Sequence, residues 1–302
     1  MQDTRESHPD GQAPIDSLAA SWLLLLIVLW AANSVVVKLS VRDFQPLWAA
    51  FIRFCPSIVF LGIMARHKGA ALIIPVRDFL AIALLGSLLF LQIFLFNLGS
   101  QYTTGGRVTL FIFAYPLMVP WISALLMAQE GLKGRVVIGT IVAFAGLAFA
   151  LRANLGNAAD TLKGDLIELA SAVVLALGVA YNKRLMYRID KWTVLFWRFT
   201  IAVLLFLTGA VAFERFEPAA VASDAWIALV YQAIVVSMFC FASFQHLLSR
   251  HNSSSVAVFF FATPLAGMLI GMLLLGEPFD PALLIGALMV GVGILVVNNP
   301  WH

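Results

Sequence analysis

Long apolar runs, separated by short groups of charged, glycine and proline residues, occupy most of the chain. Each run has about 17 to 22 residues, and a helix needs about 20 apolar residues to cross a bilayer. Because lipid offers the backbone no hydrogen bonds, such runs must be helical. The pattern predicts an all-α polytopic membrane protein with ten transmembrane helices, near 18–38, 46–65, 78–98, 106–127, 135–151, 165–185, 193–213, 226–247, 254–275 and 283–299.

The composition agrees with a protein embedded in lipid. Hydrophobic residues make up 62% of the chain and charged residues 12%, and the mean hydropathy is +0.95, which is too apolar for one water-soluble core. Connections between the runs are short, and no phosphate-binding loop of the Gly-x-x-x-x-Gly-Lys-Ser/Thr type occurs. Cys55 and Cys240 lie inside predicted helices without metal-type neighbours. We therefore expect a lipid bilayer as surroundings, no nucleic-acid partner, no cofactor and no metal.

Two stretches half a chain apart are nearly the same. Residues 108–117 read VTLFIFAYPL and residues 256–265 read VAVFFFATPL, with six of ten positions identical. The pattern Phe-x-Arg-Phe surrounds both Arg53 and Arg198, and a lysine stands fifteen residues before each arginine. The chain is therefore a duplication. This predicts a polar N-terminal segment at 1–17, a five-helix repeat at 18–151, a linker at 152–164 and a second five-helix repeat at 165–299.

The odd number of helices in each repeat determines how the two copies are related. A second copy of five helices enters the membrane from the opposite side, so the repeats are inverted. Two inverted copies enclose one site, and exchanging their conformations opens that site to each side in turn. Of the lysines and arginines outside the spans, eleven fall on the side of the N-terminus and six on the other. By the positive-inside rule we expect both termini in the cytoplasm, in a multi-pass protein of the inner (plasma) membrane.

The paired motifs resemble the EamA family of the drug/metabolite transporter superfamily. Each half has a proline in its fourth helix, then a glutamate, then a Gly-x6-Gly fifth helix, with Glu130, Gly139 and Gly146 in one copy and Glu277, Gly286 and Gly293 in the other. The triplet at 276–278, Gly-Glu-Pro, is similar to that family's second half, whereas 129–131, Gln-Glu-Gly, departs from the usual Gly-Glu. The resemblance covers residues 18–298. It implies a ten-helix exporter of amino acids or other small metabolites with a central cavity, and it leaves the substrate open.

Two arginines inside apolar runs are candidate site residues, because a charge at the centre of a membrane helix costs about 2.5–3.5 kcal/mol. Arg53 lies in helix two, and Arg198 occupies the symmetric place in helix seven. Either guanidinium can hold a carboxylate or phosphate group of a substrate by two hydrogen bonds. The alternative is structural, with the side chain reaching the interface or binding carbonyl groups of a neighbouring helix.

Amide and aromatic side chains complete the predicted substrate site. Asn33 can donate and accept hydrogen bonds at once, as a zwitterion requires, and the alternative is a hydrogen bond between helices worth about 0.6 kcal/mol. Helices one and six line the cavity in the fold that the chain resembles. The full predicted set is Trp30, Asn33, Arg53, Asn97, Tyr102, Tyr115, Tyr181, Asn182, Arg198, Gln232 and Gln245.

Prolines interrupt the same helix of both copies. Pro116 and Pro120 in helix four and Pro264 in helix nine each remove an internal hydrogen bond, so we predict hinges there, with static kinks as the alternative. Glu130 and Glu277 follow these two helices, and we expect each to cap the next helix.

These features predict a transporter that exports amino acids or similar small metabolites by alternating access. Glu168 is placed only about one turn inside helix six, and no carboxylate lies near the centre of a predicted span. Facilitative export is therefore preferred. The alternatives are proton-coupled efflux of drugs or other metabolites, and a channel. Motifs of intramembrane proteases and prenyl transferases are absent, so no enzyme activity and no catalytic residue is expected, and we expect a monomer or a weak homodimer.

Overall fold

The computed structural model describes residues 15–126, 134–152, 159–248, 250–251, 256 and 259–298. The first repeat contains α1 (Ser17–Asp43), α2 (Pro46–His67), α3 (Val76–Tyr102), α4 (Gly105–Ile112), α5 (Tyr115–Leu126) and α6 (Gly134–Arg152). The second contains α7 (Ala159–Met186), α8 (Lys191–Phe213), α9 (Ser223–Tyr231), a π-helix (Gln232–Cys240), α10 (Phe241–Leu248), α11 (Thr263–Leu275) and α12 (Pro281–Asn298). Two short 3-10 turns lie at Pro218–Ala220 and Phe260–Ala262.

The described elements form an all-α membrane fold, which confirms the prediction from the apolar runs. Eight helical spans are long and apolar enough to cross a bilayer, and α11 and α12 provide two shorter apolar helices. Two of the spans are composite. Gly105–Leu125 joins α4 to α5, and Ser223–Leu247 joins α9, the π-helix and α10.

Glycines show directly that the two repeats are inverted. A Cβ atom added to Gly139 of α6 would lie 2.7 Å from the carbonyl oxygen of Gly293 in α12, and one added to Gly146 would lie 2.9 Å from that of Gly286. Early residues of α6 thus meet late residues of α12, so these equivalent helices run antiparallel. The contact is also reciprocal, as a two-fold axis requires. Small residues allow this close approach of two backbones within a membrane.

The equivalent helices α2 and α8 also pack against each other between the repeats. Phe54 and Phe199 come from the two copies of the Phe-x-Arg-Phe pattern, and their ring centroids lie 5.2 Å apart in an edge-to-face arrangement. Both rings are fully buried. The pattern that reveals the duplication in the sequence therefore lies at the contact between the two copies.

One helix begins earlier than the apolar run suggests. The run predicts a start near 165, but α7 begins at Ala159, inside the predicted linker, of which residues 153–158 lie outside the described part. The helix continues through Gly164. A Cβ atom there would lie 2.8 Å from the backbone nitrogen of Thr103, so the glycine allows α7 to cross the end of α3 closely.

The proline-containing spans are broken at equivalent places. In the first repeat α4 ends at Ile112 and α5 starts at Tyr115, so Pro116 is the second residue of α5. In the second repeat a 3-10 turn precedes α11, and Pro264 is the second residue of that helix. Proline suits this position because the first backbone N–H groups of a helix have no partner inside it. Pro120 lies inside α5.

Candidate functional site

Arg53 is buried and held by two side chains of the second repeat. Its Nε donates to Ser237 Oγ at 3.0 Å, and its Nη1 donates to Gln232 Oε1 at 3.4 Å. Gln232 in turn donates from Nε2 to Ser40 Oγ at 2.9 Å. The guanidinium also stands over the ring of Phe54, 4.8 Å from its centroid. Arg53 therefore ties α2 to the π-helix, and through Gln232 to α1.

The π-helix explains how Gln232 and Ser237 both reach this arginine. Residues five apart face different sides of an α-helix, but they are joined by the hydrogen bonds of a π-helix and lie on one side of it. The segment Gln232–Cys240 has this conformation, so the amide and the hydroxyl face α2 together. Sequence reasoning placed Gln232 in the site but missed Ser237, because an apolar run gives no sign of a π-helix.

Arg198 differs from Arg53 although both occupy the same motif. Its Nε is buried and has no hydrogen-bond partner among the described residues. The guanidinium carbon lies 5.8 Å from the centroid of Phe199 and 5.9 Å from that of Phe241. Aromatic faces attract a guanidinium but do not satisfy its N–H donors. Arg198 thus keeps a donor for an anionic group.

Trp30 belongs to an aromatic cluster that also contains Phe241, the ring beside the Arg198 guanidinium. Its ring lies 6.1 Å from Phe241, 5.2 Å from Phe244 and 5.6 Å from Phe260, centroid to centroid. We call Trp30, Phe241, Phe244 and Phe260 the aromatic cluster. It joins α1, α10 and the 3-10 turn before α11, so both repeats contribute to it.

Tyr115 is connected to this cluster through one further ring. Phe113 lies 6.0 Å from Phe260 and 6.2 Å from Tyr115, measured between centroids. Phe113 is part of the break between α4 and α5, and Phe260 belongs to the 3-10 turn of the equivalent break. The two broken spans therefore meet through aromatic side chains beside the candidate site.

Four predicted amides retain unused hydrogen-bonding capacity. Oδ1 of Asn33, of Asn97 and of Asn182 is buried without a partner in the described part of the chain. Gln245 Nε2 donates to the sulfur of Met186 at 2.8 Å, and Asn182 Nδ2 lies 4.0 Å from the same sulfur. A thioether is a weak acceptor. These groups can therefore exchange their present contacts for a polar ligand at little cost.

The remaining predicted residues contact other parts of the molecule. Asn97 donates from Nδ2 to the carbonyl of Pro46 at 2.9 Å, at the start of α2. The ring of Tyr102 lies under the Lys163 ammonium, 3.9 Å away. Tyr181 packs with aliphatic residues between α3, α7 and α8. The structure gives these three side chains no contact with the aromatic cluster.

A cavity of about 440 Å³ opens between α1 and α2 of one repeat and α8 and α10 of the other. Its lining includes Trp22, Lys68, Trp192, Ser243 and His246. Ser243 and His246 share the face of α10 that lines the cavity, whereas Phe241 and Phe244 lie on its other face, toward the aromatic cluster. Lys68 and Trp192 place the cavity at the end of the molecule that carries the α2–α3 and α7–α8 connections.

The opposite end is closed by buried charges that sequence reasoning assigned to loops and helix ends. Arg107, counted in an outer loop, is 2% exposed, and its Nη2 lies 2.5 Å from Asp165 Oδ2. Lys38, expected at the end of helix one, lies five residues before the end of α1 and donates to the carbonyl oxygens of Ser100 and Thr103. The polar residues at 100–104, between α3 and α4, are the sequence feature that could have indicated buried partners for these charges, since Ser100 and Thr103 bind them.

The sequence suggested that Glu277 caps the helix that follows it, α12. The structure shows instead that Glu277 caps α4, a helix of the other repeat. Its carboxylate accepts from the backbone N–H groups of Gly105 at 2.6 Å and Gly106 at 3.1 Å, at the start of α4. Asp280 caps α12 instead, accepting from Ala282 N at 2.9 Å. Glu130, the counterpart of Glu277, lies outside the described residues.

Two inverted repeats of membrane-spanning helices are the architecture of a membrane transporter. The EamA-like transporter family model matches residues 17–152 and 162–299, so the chain belongs to this family. It is 26% identical to an uncharacterized transporter, YvbV, of Bacillus subtilis strain 168, over 92% of this chain and 90% of that one. It is also 26% identical to a probable amino-acid metabolite efflux pump of Salmonella typhimurium, over 90% of this chain and 92% of the relative.

A second relative carries the same description. The probable amino-acid metabolite efflux pump of Escherichia coli K12 is 24% identical, over 90% of this chain and 92% of its own. A solved crystal structure matches the fold with a TM-score of 0.69 at 19% identity, covering 93% of this chain and 97% of that one.

Proposed function

We propose that this protein exports amino acids or chemically similar small metabolites across the inner membrane by alternating access, with both termini in the cytoplasm. Two relatives described as probable amino-acid metabolite efflux pumps support the substrate class. The excess of lysine and arginine on the side of the N-terminus supports the orientation. Membership of a transporter family supports transport and not catalysis.

The unpaired donor of Arg198 carries the proposal for the substrate. A buried guanidinium N–H without an acceptor is costly, and a carboxylate is the partner that best matches its geometry. The neighbouring aromatic cluster suits an apolar side chain, and the free oxygens of Asn33 and Asn182 suit an ammonium group. An α-amino acid presents all three chemistries in one small molecule.

Arg53 has a different role in this proposal. Its two donors are already engaged by Ser237 and Gln232, so it holds the π-helix against α2. We assign substrate contact to Trp30, Asn33, Tyr115, Asn182, Arg198 and Gln245. We assign positioning of helices to Arg53, Asn97, Tyr102, Tyr181 and Gln232.

The cavity and the prolines support alternating access. Substrate would enter from the cytoplasm through the cavity, which opens at the end opposite the buried Arg107–Asp165 pair. Pro116, Pro120 and Pro264 lie in or beside the breaks of the two equivalent spans. We propose these breaks as the hinges at which the halves exchange conformations.

Transport by purified protein in liposomes tests the proposal with a panel of radiolabelled amino acids, nucleobases and cationic drugs. Saturable uptake of amino acids is expected for the wild type. Arg198→Gln should raise the half-saturating concentration about tenfold or more, because a hydrogen bond to a charged group contributes about 1.5–3 kcal/mol. Arg53→Gln should instead lower the yield of folded protein, and the exposed Arg215→Gln should change neither property.

Each result bears on a separate part of the proposal. Unchanged apparent affinity in a well-expressed Arg198→Gln protein would remove that residue from the site. Saturable uptake of another compound class alone would replace the amino acid as substrate. No saturable uptake of any compound by the wild type would contradict the transport of these substrates.

A further inference from the structure

Glu168 lies in α7 at the level of the last turn of α3, and one of its two buried oxygens has no hydrogen-bond partner in the described structure. It is the tenth residue of a 28-residue helix, so it lies about 14 Å along the axis from the first residue. The side chain is fully buried. One oxygen, Oε1, accepts from Ser100 Oγ at 3.0 Å, whereas Oε2 has no hydrogen-bond partner among the described residues. Facilitative export is preferred from the sequence because no carboxylate lies near the centre of a span. The burial and the unpaired oxygen of Glu168 are a separate observation that favours proton binding.

Two neighbouring residues of α3, Gly99 and Ser100, fix the position of the Glu168 carboxyl group. A Cβ atom on Gly99 would lie 2.9 Å from Glu168 Oε1, so the glycine lets the carboxyl group lie directly against α3 in its present position. Ser100, the next residue, supplies the one hydrogen bond that the group receives. The same serine accepts from Lys38 Nζ through its carbonyl oxygen at 3.0 Å. Glu168 and Lys38 are therefore neighbours across Ser100, and no ion pair between them is present in the described structure.

The other carboxylates near Glu168 have donors of their own. Asp165 accepts from Arg107 and from Thr103 Oγ1, the latter at 2.6 Å. Glu277 accepts from two backbone N–H groups, as described above. Along Tyr115–Leu126, α5 carries no charged residue. The charged groups on the surrounding elements are Lys38 on α1, Arg107 on α4, Lys163 and Asp165 on α7, and Glu277 and Asp280 between α11 and α12.

We propose that Glu168 binds a proton and that the transporter exchanges its substrate for protons through this residue. An ionised carboxylate with an unpaired oxygen in an apolar interior costs several kcal/mol, and protonation removes most of that cost. The neutral group therefore favours the closed outer end seen here. The anion favours an open outer end, where water and Lys38 can reach it.

The proposed cycle balances one proton against one substrate molecule. A proton from the outer solution binds Glu168 when the outer end is open, and the outer end then closes. The proton leaves to the cytoplasmic side when substrate enters from the cavity, and the substrate leaves when the outer end opens again. This inference rests on the proposed export function and adds its source of energy.

Infrared spectroscopy of the purified protein tests proton binding without any substrate. The wild type should show a protonated carboxyl C=O band at neutral pH, and Glu168→Gln should lose it. Glu277→Gln is the matched control, because the Glu277 carboxylate accepts from two backbone N–H groups and Glu168 accepts from one hydroxyl, so this variant should keep the band. Absence of the band from the wild type would overturn the proposal whatever the variants do, as would persistence of the full band in folded Glu168→Gln.

Transport against a gradient tests the coupling. With a transported amino acid and a one-unit pH gradient, one-to-one exchange should give about tenfold accumulation in wild-type liposomes. Glu168→Gln should lose this accumulation but still exchange labelled for unlabelled substrate, and Glu168→Asp should retain accumulation at a lower rate. Wild-type transport that ignores the pH gradient would overturn proton coupling and leave the export function standing. Failure of all saturable transport would instead count against the export function, and the infrared band would still decide proton binding.

Discussion

A single glycine allows Glu277 to join the two repeats. Gly276 adopts a left-handed conformation with φ of 63°, which ends α11 and lets Glu277 N bind the carbonyl of Gly271 at 3.3 Å. The chain then turns so that the glutamate side chain reaches the first turn of α4. There it meets two backbone N–H groups that have no partner inside their own helix and carry the positive end of the helix dipole.

Removing this carboxylate should destabilise the protein. For Glu277→Ala we expect a loss of about 1–2 kcal/mol in the free energy of unfolding, as for other helix caps, seen as a lower midpoint of thermal unfolding in detergent. Glu217→Ala is the control, since Glu217 is exposed and makes no side-chain cap. Equal midpoints for the two variants would show that the cap contributes nothing to stability.

The two motif arginines show what a sequence leaves undetermined at the scale of a residue. The same four-residue pattern predicts the same role for Arg53 and Arg198, and the repeat places them at equivalent positions. Arg53 nevertheless finds two acceptors, and Nε of Arg198 finds none in the described structure. The difference depends on the π-helix and on the conformation of each half. The apolar pattern that predicts the spans indicates neither the π-helix nor the conformation of each half.

Helices α6 and α12 depend on glycine along their whole contact. A Cβ atom on Gly293 would lie 2.5 Å from Ala143 Cβ and 2.6 Å from the carbonyl oxygen of Gly139. Neither neighbour is the end of a flexible side chain, so the helices would have to separate. The glycines of this crossing are those of the Gly-x6-Gly motif found in both repeats.

A matched pair of substitutions tests the crossing. Gly293→Ala should destabilise the protein by about 1–3 kcal/mol through overpacking, measured as a lower unfolding midpoint and a smaller folded fraction in size-exclusion chromatography. Gly178→Ala in α7 meets open space and should be neutral or slightly stabilising, because alanine favours a helix. A Gly293→Ala protein as stable as Gly178→Ala would mean that the α6–α12 contact is looser than the distances imply.

At the scale of elements, the sequence predicts where the chain crosses the membrane. It predicts less well where each helix begins, breaks or becomes a π-helix. Apolar runs follow from the thickness of the bilayer, so the spans appear in the predicted order. Helix α7 starts six residues before the predicted span near 165–185, because an apolar run does not record the polar first turns of a helix. The breaks were foreseen from Pro116 and Pro264, whereas the π-helix was not, since it requires no special residue.

For the molecule as a whole, the proposed alternating access predicts a second state. One end is closed by Arg107, Asp165 and Glu277, and the cavity lies at the other end. Exchanging the conformations of the two repeats would open the closed end and close the cavity. In that state the Arg198 guanidinium would find acceptors on α3, which its backbone already contacts, as Arg53 now finds them on the π-helix.

Cysteine labelling from each side of the membrane tests this two-state arrangement and its orientation. Ser243 lines the cavity, so Ser243→Cys in a chain whose Cys55 and Cys240 are replaced should react with a membrane-impermeant maleimide in inside-out vesicles. It should not react in right-side-out vesicles, because the proposed orientation places the opening of the cavity on the cytoplasmic side. A transported substrate that promotes the outward-open state should slow the reaction, since that state closes the cavity.

Pro264→Ala should weaken this slowing of the labelling by substrate if the break before α11 is a hinge. Labelling from the outer side alone would reverse the orientation, and an unchanged response in Pro264→Ala would leave that proline a static kink.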